Sequence, residues 1–354
     1  MIEFIRDLAD LALIARSWND LAEPFNTPLL QYEWISAGAD ALRSSEQFWI
    51  TVNRLQSSIT AIAPLVLIKK YGTERLELLG ASTLYEPSGF IYKDEAALKE
   101  LLDAIVRIGK PLFLERLRAD APEVSMLQRL GGGKTFLSVA GGTPFIPICT
   151  TWDKFEAGMS SDYRNELRRK KKLLENGGRM NFEILVPRPE NIGPYLDEFI
   201  RVESASWKGK KRSALLFDER LRGFYYSYGK AAAARGIMRI CILRVDDRAI
   251  AAALAVEEAK RLWILKIGYD EKWMRCAPGI LLMHEMIRYA FEQGLEAYEF
   301  LGNEEPWIRR WTKQAHSYVT VRVYPYTFQG LYSFALDAFR YVFMKALKIM
   351  KIEG

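Results

Sequence analysis

One stretch limits the fold more than any other. Arg261 to Gly268 reads as an apolar strand, a loop follows, Gly279 to Gln293 reads as a helix ended by Gly294, and Glu296 to Leu301 is a second strand. The helix places Ile280, Met283, Ile287, Ala290 and Phe291 on one face, the spacing of a helix packed on a sheet. Strand, helix and strand in this order imply an α/β layer arrangement. The first half echoes it with Leu76 to Leu79, a loop, Glu95 to Ile108 and Pro111 to Leu117. A diverged duplication accounts for both. With 354 residues, the chain is long enough for two cores of roughly 150–180 residues each. We expect domains over 1–150 and 151–330, and an amphipathic helix over 331–354.

Other elements are marked by turn residues. Phe48 to Val52 and Ile59 to Ile68 read as paired strands, and Met238 to Val245 and Ala249 to Glu257 as a hairpin around Asp246-Asp247-Arg248. Tyr195 to Glu203 and Leu221 to Arg235 read as helices, Glu305 to Lys313 as a short helix and Ser317 to Tyr324 as a last strand. Gly131-Gly132-Gly133 and Gly141-Gly142 mark loops, since no Walker spacing surrounds them.

The loop Tyr269 to Ile280 has the chemistry of an anion site. A helix start offers backbone N–H groups and the positive end of a dipole. Gly279 permits close approach, Pro278 gives up an N–H the helix does not use, and Arg275 adds a cation. A plain helix start with proline and glycine is the competing reading. The matching turn of the first half, Lys93-Asp94-Glu95, carries two carboxylates that would repel a pyrophosphate. His284 falls on the apolar face of the helix and reads as a packed histidine.

Charge and composition set further limits. The net charge of +6 favours anionic partners. Arg164 to Lys172 forms a strongly basic helix, either solvated or facing phosphates. Three cysteines without ligand spacing point to a reducing cytoplasm, and with only two histidines a metal site is not expected. The start Met1-Ile2-Glu3-Phe4-Ile5-Arg6-Asp7 argues against a secretory leader. The longest apolar runs, Ile59 to Ile68 and Ala249 to Val256, fall short of the roughly 20 residues of a membrane span. In the C-terminal helix, Phe339, Val342, Phe343, Ala346, Leu347 and Met350 share a face, with Arg340, Lys345, Lys348 and Lys351 largely opposite. The favoured expectation is that this face packs on the protein's own core. The alternative is weak peripheral contact with an anionic membrane.

Three motif groups carry a resemblance. They are Trp207-Lys208-Gly209 with Phe224-Tyr225; Tyr269-Asp270 with Ala277-Pro278-Gly279; and Glu299-Phe300-Leu301-Gly302 with Glu305-Pro306-Trp307 and Arg309-Arg310-Trp311. Through them the second half resembles the GNAT acyltransferases. More narrowly it resembles the CelD-like (cellulose-biosynthesis-like) and BioF-like acetyltransferases, relatives of the Fem peptidoglycan aminoacyltransferases. The resemblance implies tandem GNAT-like domains with mixed central sheets flanked by helices, the first domain degenerate. It implies acetyl-CoA or another acyl-CoA as co-substrate. The pantetheine would run beside Ile264 and Ile267, and the pyrophosphate would rest on Arg275, Cys276, Ala277, Pro278, Gly279 and Ile280. The implied reaction is acyl transfer to an amine or hydroxyl of an envelope or polysaccharide precursor.

Acyl transfer to an amine needs a base, because a free alkylamine has a pKa of about 10.4. It also needs a donor for the developing oxyanion. The candidate bases are Glu299 and Glu257, each of which can equally be a paired structural carboxylate. A backbone N–H near Ile267 is the candidate oxyanion donor. Tyr269 or Tyr318 would protonate the leaving thiolate. Trp207, Lys208, Trp307 and Trp311 would line an acceptor groove. Two other readings stay open. One is a Fem-like transferase using aminoacyl-tRNA, with the basic helix meeting RNA. The other is a non-catalytic GNAT-like scaffold in a polysaccharide biosynthesis complex.

Overall fold

The computed structural model describes residues 1–354 apart from 44–46, 71, 131–132, 207–214 and 353–354, and leaves the side chains of 70 and 344–352 undescribed. Two contact-dense units divide the chain. One holds Met1–Phe25, Leu29–Gly141 and Ser317–Gly354, and the other holds Asn26–Pro28 and Gly142–His316. The second unit therefore begins before residue 151. The residues from Ser317 onward, including all but the first two residues of the last strand, belong with the first unit.

The first unit contains β1 (Ile2–Ile5), β2 (Gln47–Phe48), β3 (Ile50–Leu55), β4 (Ser58–Ala63), β5 (Leu65–Lys70), β6 (Thr73–Leu78), β7 (Ile91–Tyr92), β8 (Leu112–Arg118) and the first part of β9 (Gly133–Pro147). The run expected as one strand over 59–68 is two. Pro64 ends β4, which lies in the sheet β1-β3-β4-β7, while β5 pairs with β6 in another sheet. Proline cannot donate to a ladder, so it marks the corner. β6 and β8 are parallel, Leu76 facing Leu112, and the helix Glu95–Arg107 connects them. Its Leu98, Leu101, Leu102 and Ile105 are fully buried, as their spacing predicts.

The second unit contains β10 (Met180–Leu185), β11 (Met238–Val245), β12 (Arg248–Glu258), β13 (Arg261–Tyr269) and β14 (Ala297–Glu299), and the start of β15 (Ala315–Pro325). Its strands run in the order β10-β11-β12-β13-β14-β9. Asp246, with φ 52°, turns the expected hairpin between β11 and β12. Residues Ala249 to Val256 of β12 are fully buried. This strand packs against the helices Ile192–Ser204 and Pro278–Glu292. A strand covered on both faces loses the apolar–polar alternation. Its alanines let both helices approach. β13 and β14 are parallel, with the helix Pro278–Glu292 as their crossover.

The fold is thus mixed α/β, with mixed sheets flanked by helices, as the sequence implied. The expected helix over 305–313 shrinks to a single 3-10 turn, Ile308–Arg310.

Candidate functional site

β13 departs from its neighbours midway. On the β12 side, Lys266 faces Leu254 and Ile264 faces Ala255, so Leu265 is an extra residue in a bulge. On the other side, β14 pairs with β13 only as far as Glu299, opposite Trp263. Phe300 then donates its N–H to Pro144 O, and Leu301 and Gly302 turn the chain with φ 54° and 58°. β13 runs on to Tyr269 past the end of β14. Ile264 lies in the core beneath this stretch, and Ile267 is half-buried.

The loop after β13 is held from inside. The buried Asp270 accepts the Lys272 N–H at 3.0 Å and the Arg248 guanidinium at 2.7 Å. A 3-10 turn spans Glu271–Cys276, and Ala277 takes a left-handed conformation, φ 49°, before Pro278 opens the helix. Ala277 O already accepts the N–H groups of Ile280 and Leu281, at 3.0 and 3.1 Å. The backbone cradle is therefore smaller than the sequence implied. Gly279 also answers to a neighbour: a Cβ there would sit 3.2 Å from the Tyr269 ring. Cys276 and Pro278 point into the core, so toward a ligand Cys276 can offer only backbone. Arg275 is exposed.

The basic helix Ser161–Glu175 packs on this loop. Tyr163, Leu167 and Leu174 anchor it in the core, and Lys170 Nζ donates to Arg275 O at 2.6 Å. Arg168, Arg169 and Lys172 stay exposed. The helix is therefore partly packed and partly a cationic border to the loop.

A second cluster lies at the closed end of the β13–β14 divergence. Glu299 is fully buried and its Oε1 accepts the Arg261 guanidinium at 2.6 Å. Its Oε2 lies 3.0 Å from Nε2 of His316, whose ring stacks on Phe145 with centroids 4.1 Å apart. A carboxylate only accepts, so the facing Nε2 is the donor, and in a neutral ring Nδ1 would then hold the lone pair. Of the two possibilities the sequence left open for Glu299, a candidate base or a structurally paired carboxylate, the buried pairing with Arg261 and His316 fits the second. A cavity of about 310 Å³, lined by Pro144, Glu304, Ile308, Arg309, Lys313 and Ala315, borders the strand that carries His316. Sequence reasoning passed over His316, which lies far from Glu299 along the chain. The one available signal was that histidine occurs only twice.

Other expected site residues fall elsewhere. Glu257 accepts from the Tyr289 hydroxyl at 2.8 Å and from Arg239 Nε at 3.1 Å. It pairs with Leu262, at the same end of β13 as the Trp263 that faces Glu299, and both of its side-chain partners mark it as a paired carboxylate. Trp311 is 5% exposed and packs edge-on against Tyr163, so it belongs to the core and not to a groove. Trp307 is partly exposed, in the segment that lines the cavity. Tyr269 packs on the helix start, and Tyr318 is buried in the first unit. Trp207 and Lys208 lie outside the described residues. His284 packs edge-on to Trp152 and reaches Glu156 at 3.1 Å, the packed histidine that was expected. No cluster of His, Cys, Asp and Glu able to hold a metal occurs among the described residues.

Residues 161–309 match the sequence family described as acetyltransferase (GNAT) domain. No curated protein sequence matches the chain. Among solved structures, FemX superposes with a TM-score of 0.58 at 14% identity, over 94% of this chain and 99% of that one. L-PGS from Bacillus licheniformis superposes with a TM-score of 0.56 at 13% identity, over 90% of this chain and 92% of that one. At such identities these likenesses speak for the fold alone. Residues 161–309, which carry the diverging β13 and the helix start that follows it, are thus similar to a GNAT-type acyltransferase domain.

Proposed function

We propose that the chain moves an acyl group from acetyl-CoA or another acyl-CoA to an amine or hydroxyl of an envelope- or polysaccharide-related acceptor. The observation that carries this is the bulged β13, which outruns β14 and ends in a loop at a helix N-terminus, bordered by the basic helix Ser161–Glu175. A thioester laid along β13 would have its carbonyl near the backbone around Ile267. Its pyrophosphate would lie by Gly279, Arg275 and the exposed arginines of the helix Ser161–Glu175. The narrower CelD-like and BioF-like kinship belongs to the same reading. So does a cytoplasmic location, which rests on three free cysteines.

In this reading His316 is the base. Nδ1 takes the proton of the attacking amine as its nitrogen bonds to the thioester carbon. Backbone N–H groups of β13 hold the oxyanion, the C–S bond breaks, and the CoA thiolate leaves and takes up a proton. Glu299 and Arg261 hold the imidazole through the Nε2–H bond, the orienting role a carboxylate plays behind a catalytic histidine. In an acceptor screen that follows thiol release, His316→Gln is expected to lower turnover about 100-fold with thioester affinity unchanged. Full turnover by the variant would remove His316 from the mechanism.

The donor is tested by calorimetry with acetyl-CoA and longer acyl-CoAs. Saturable heat is expected, and silence across the series would overturn the CoA reading. The second reading, an aminoacyl-tRNA donor, is favoured by the contact of Lys170 with the donor loop, which sets a long cationic helix beside it. RNA binding that falls steeply with salt, without any thioester binding, would decide for it.

A further inference from the structure

The C-terminal helix Phe328–Ile352 is turned the opposite way from what its sequence suggests. Its polar residues face the unit to which it belongs. Asp337 accepts the Tyr324 hydroxyl at 2.7 Å, Ser333 is buried, and Gln329 donates to Glu74 O. Phe334 is the aromatic residue on this side, stacked on Phe136 and edge-on to Tyr324. The apolar stripe faces outward. Phe328, Leu331, Tyr332, Phe339, Val342 and Phe343 fall on one face at helical spacing, and each is between 47% and 88% exposed. The pairs Phe328–Tyr332 and Phe339–Phe343 stack one turn apart. The expectation that this face packs on the protein's own core therefore fails at Phe339, Val342 and Phe343, while the side chains of Ala346, Leu347 and Met350 lie outside the described residues.

A row of exposed aromatic and aliphatic side chains this long marks an interaction surface. The charge pattern of the same helix selects the partner. Lys345, Lys348 and Lys351 follow one another three residues apart, and the sequence places no Asp or Glu three or four residues from any of them. Like charges at that spacing destabilise a helix in water. Lipid phosphates would relieve the repulsion, whereas a second copy would bring a second run of lysines. No helix among the described residues is long and apolar enough to cross a membrane. We propose that this helix docks the protein flat on an anionic lipid surface, with the stripe from Phe328 to Phe343 buried at the headgroup boundary and the basic sequence of the same helix matched to the negative charge of the lipid.

The test uses the full chain with vesicles of phosphatidylcholine alone and with a third phosphatidylglycerol. Co-sedimentation is expected only with the anionic vesicles, and it should be released by high salt. Phe339→Glu with Phe343→Glu alters two exposed positions, so the fold, checked by circular dichroism and melting, stays intact, and affinity is expected to drop at least about tenfold. Lys345→Glu with Lys348→Glu should weaken binding in the same direction. Three outcomes would overturn the proposal. One is failure to bind anionic vesicles at low salt. Another is binding that the aromatic substitutions leave unchanged. The third is a stable dimer in light scattering that those substitutions dissolve, which would make the stripe a contact between copies.

Discussion

The chain builds the same crossover twice and starts its helix differently each time. Both β6–β8 and β13–β14 are parallel pairs joined through a helix. In the first, Asp94 caps the helix and accepts the Ala97 N–H at 2.9 Å, with Glu95 in the first turn. In the second, the capping position is Ala277, in a left-handed conformation and without any side-chain cap. An aspartate cap stabilises a helix by about 1 kcal/mol, while a left-handed alanine costs about 1–2 kcal/mol. One start is built for stability. The other gives up that stability at the place where the proposed donor phosphate would lie. The cap residue thus separates the helix start of a structural unit from that of a candidate site.

The largest expected effect breaks this contrast directly. Gly279→Glu sets a carboxylate in the proposed phosphate site and crowds the Tyr269 ring. It should abolish acyl-CoA binding, a loss of about 100-fold or more, while Glu near a helix N-terminus leaves the fold intact. Gly279→Ala keeps the crowding without the charge and separates the two causes. Calorimetry of the wild type should give one site per chain, because Asp94 and Glu95 occupy the matching turn of the first unit. Two equivalent sites, or an unchanged affinity in Gly279→Glu, would dissolve the contrast.

Two buried carboxylates, one in each unit, make a second contrast. Glu299 in the second unit is matched by Arg261 and His316. Glu123 in the first is almost fully buried, and one of its oxygens has no partner. Burial pushes the Glu123 carboxyl up to about 7, above the 4.5 of an unperturbed one. Between those values the folded chain holds the proton more tightly than the unfolded chain does. Stability is therefore full below about pH 4.5, falls as pH rises toward 7, and is flat beyond. Glu123→Gln keeps the neutral shape, so it should add up to about 3 kcal/mol at pH 8 and almost nothing at pH 4. Urea unfolding at the two pH values measures this. An equal effect at both would show that Glu123 is ionised in the fold.

What could be read from the sequence was mostly local. The hairpin around Asp246, both crossovers and the helix faces follow from periodicity and turn residues. β10 was missed, because Met180–Leu185 is half-exposed along its length and shows no alternation. The split at Pro64 was readable in principle, but assigning the two pieces to different sheets required the tertiary pairing. In the site, the loop was legible because its residues are contiguous. The Glu299–Arg261–His316 cluster was not, since it joins β13, β14 and β15. Trp311 was misplaced because an aromatic residue looks the same in a groove and in a core. The terminal helix shows the limit most plainly. Periodicity finds its stripe, but not which side the rest of the unit occupies.

The smallest expected effect tests whether the two helix starts differ for the stated reason. Asp94→Ala removes a cap and should lower stability by about 1 kcal/mol, with no change in thioester affinity. Ala277→Gly removes the left-handed strain from the other start, which glycine adopts freely, and should raise stability by somewhat less than 1 kcal/mol. The gain is smaller than the strain because glycine also loosens the unfolded chain. If Ala277 serves the donor loop only through its backbone, Ala277→Gly should leave acyl-CoA affinity within about twofold. A loss of stability in Ala277→Gly would mean that its methyl packs usefully, and the second start would then be no less optimised for stability than the first. A gain of stability with a large loss of affinity would mean that the strained conformation itself holds the loop ready for the donor.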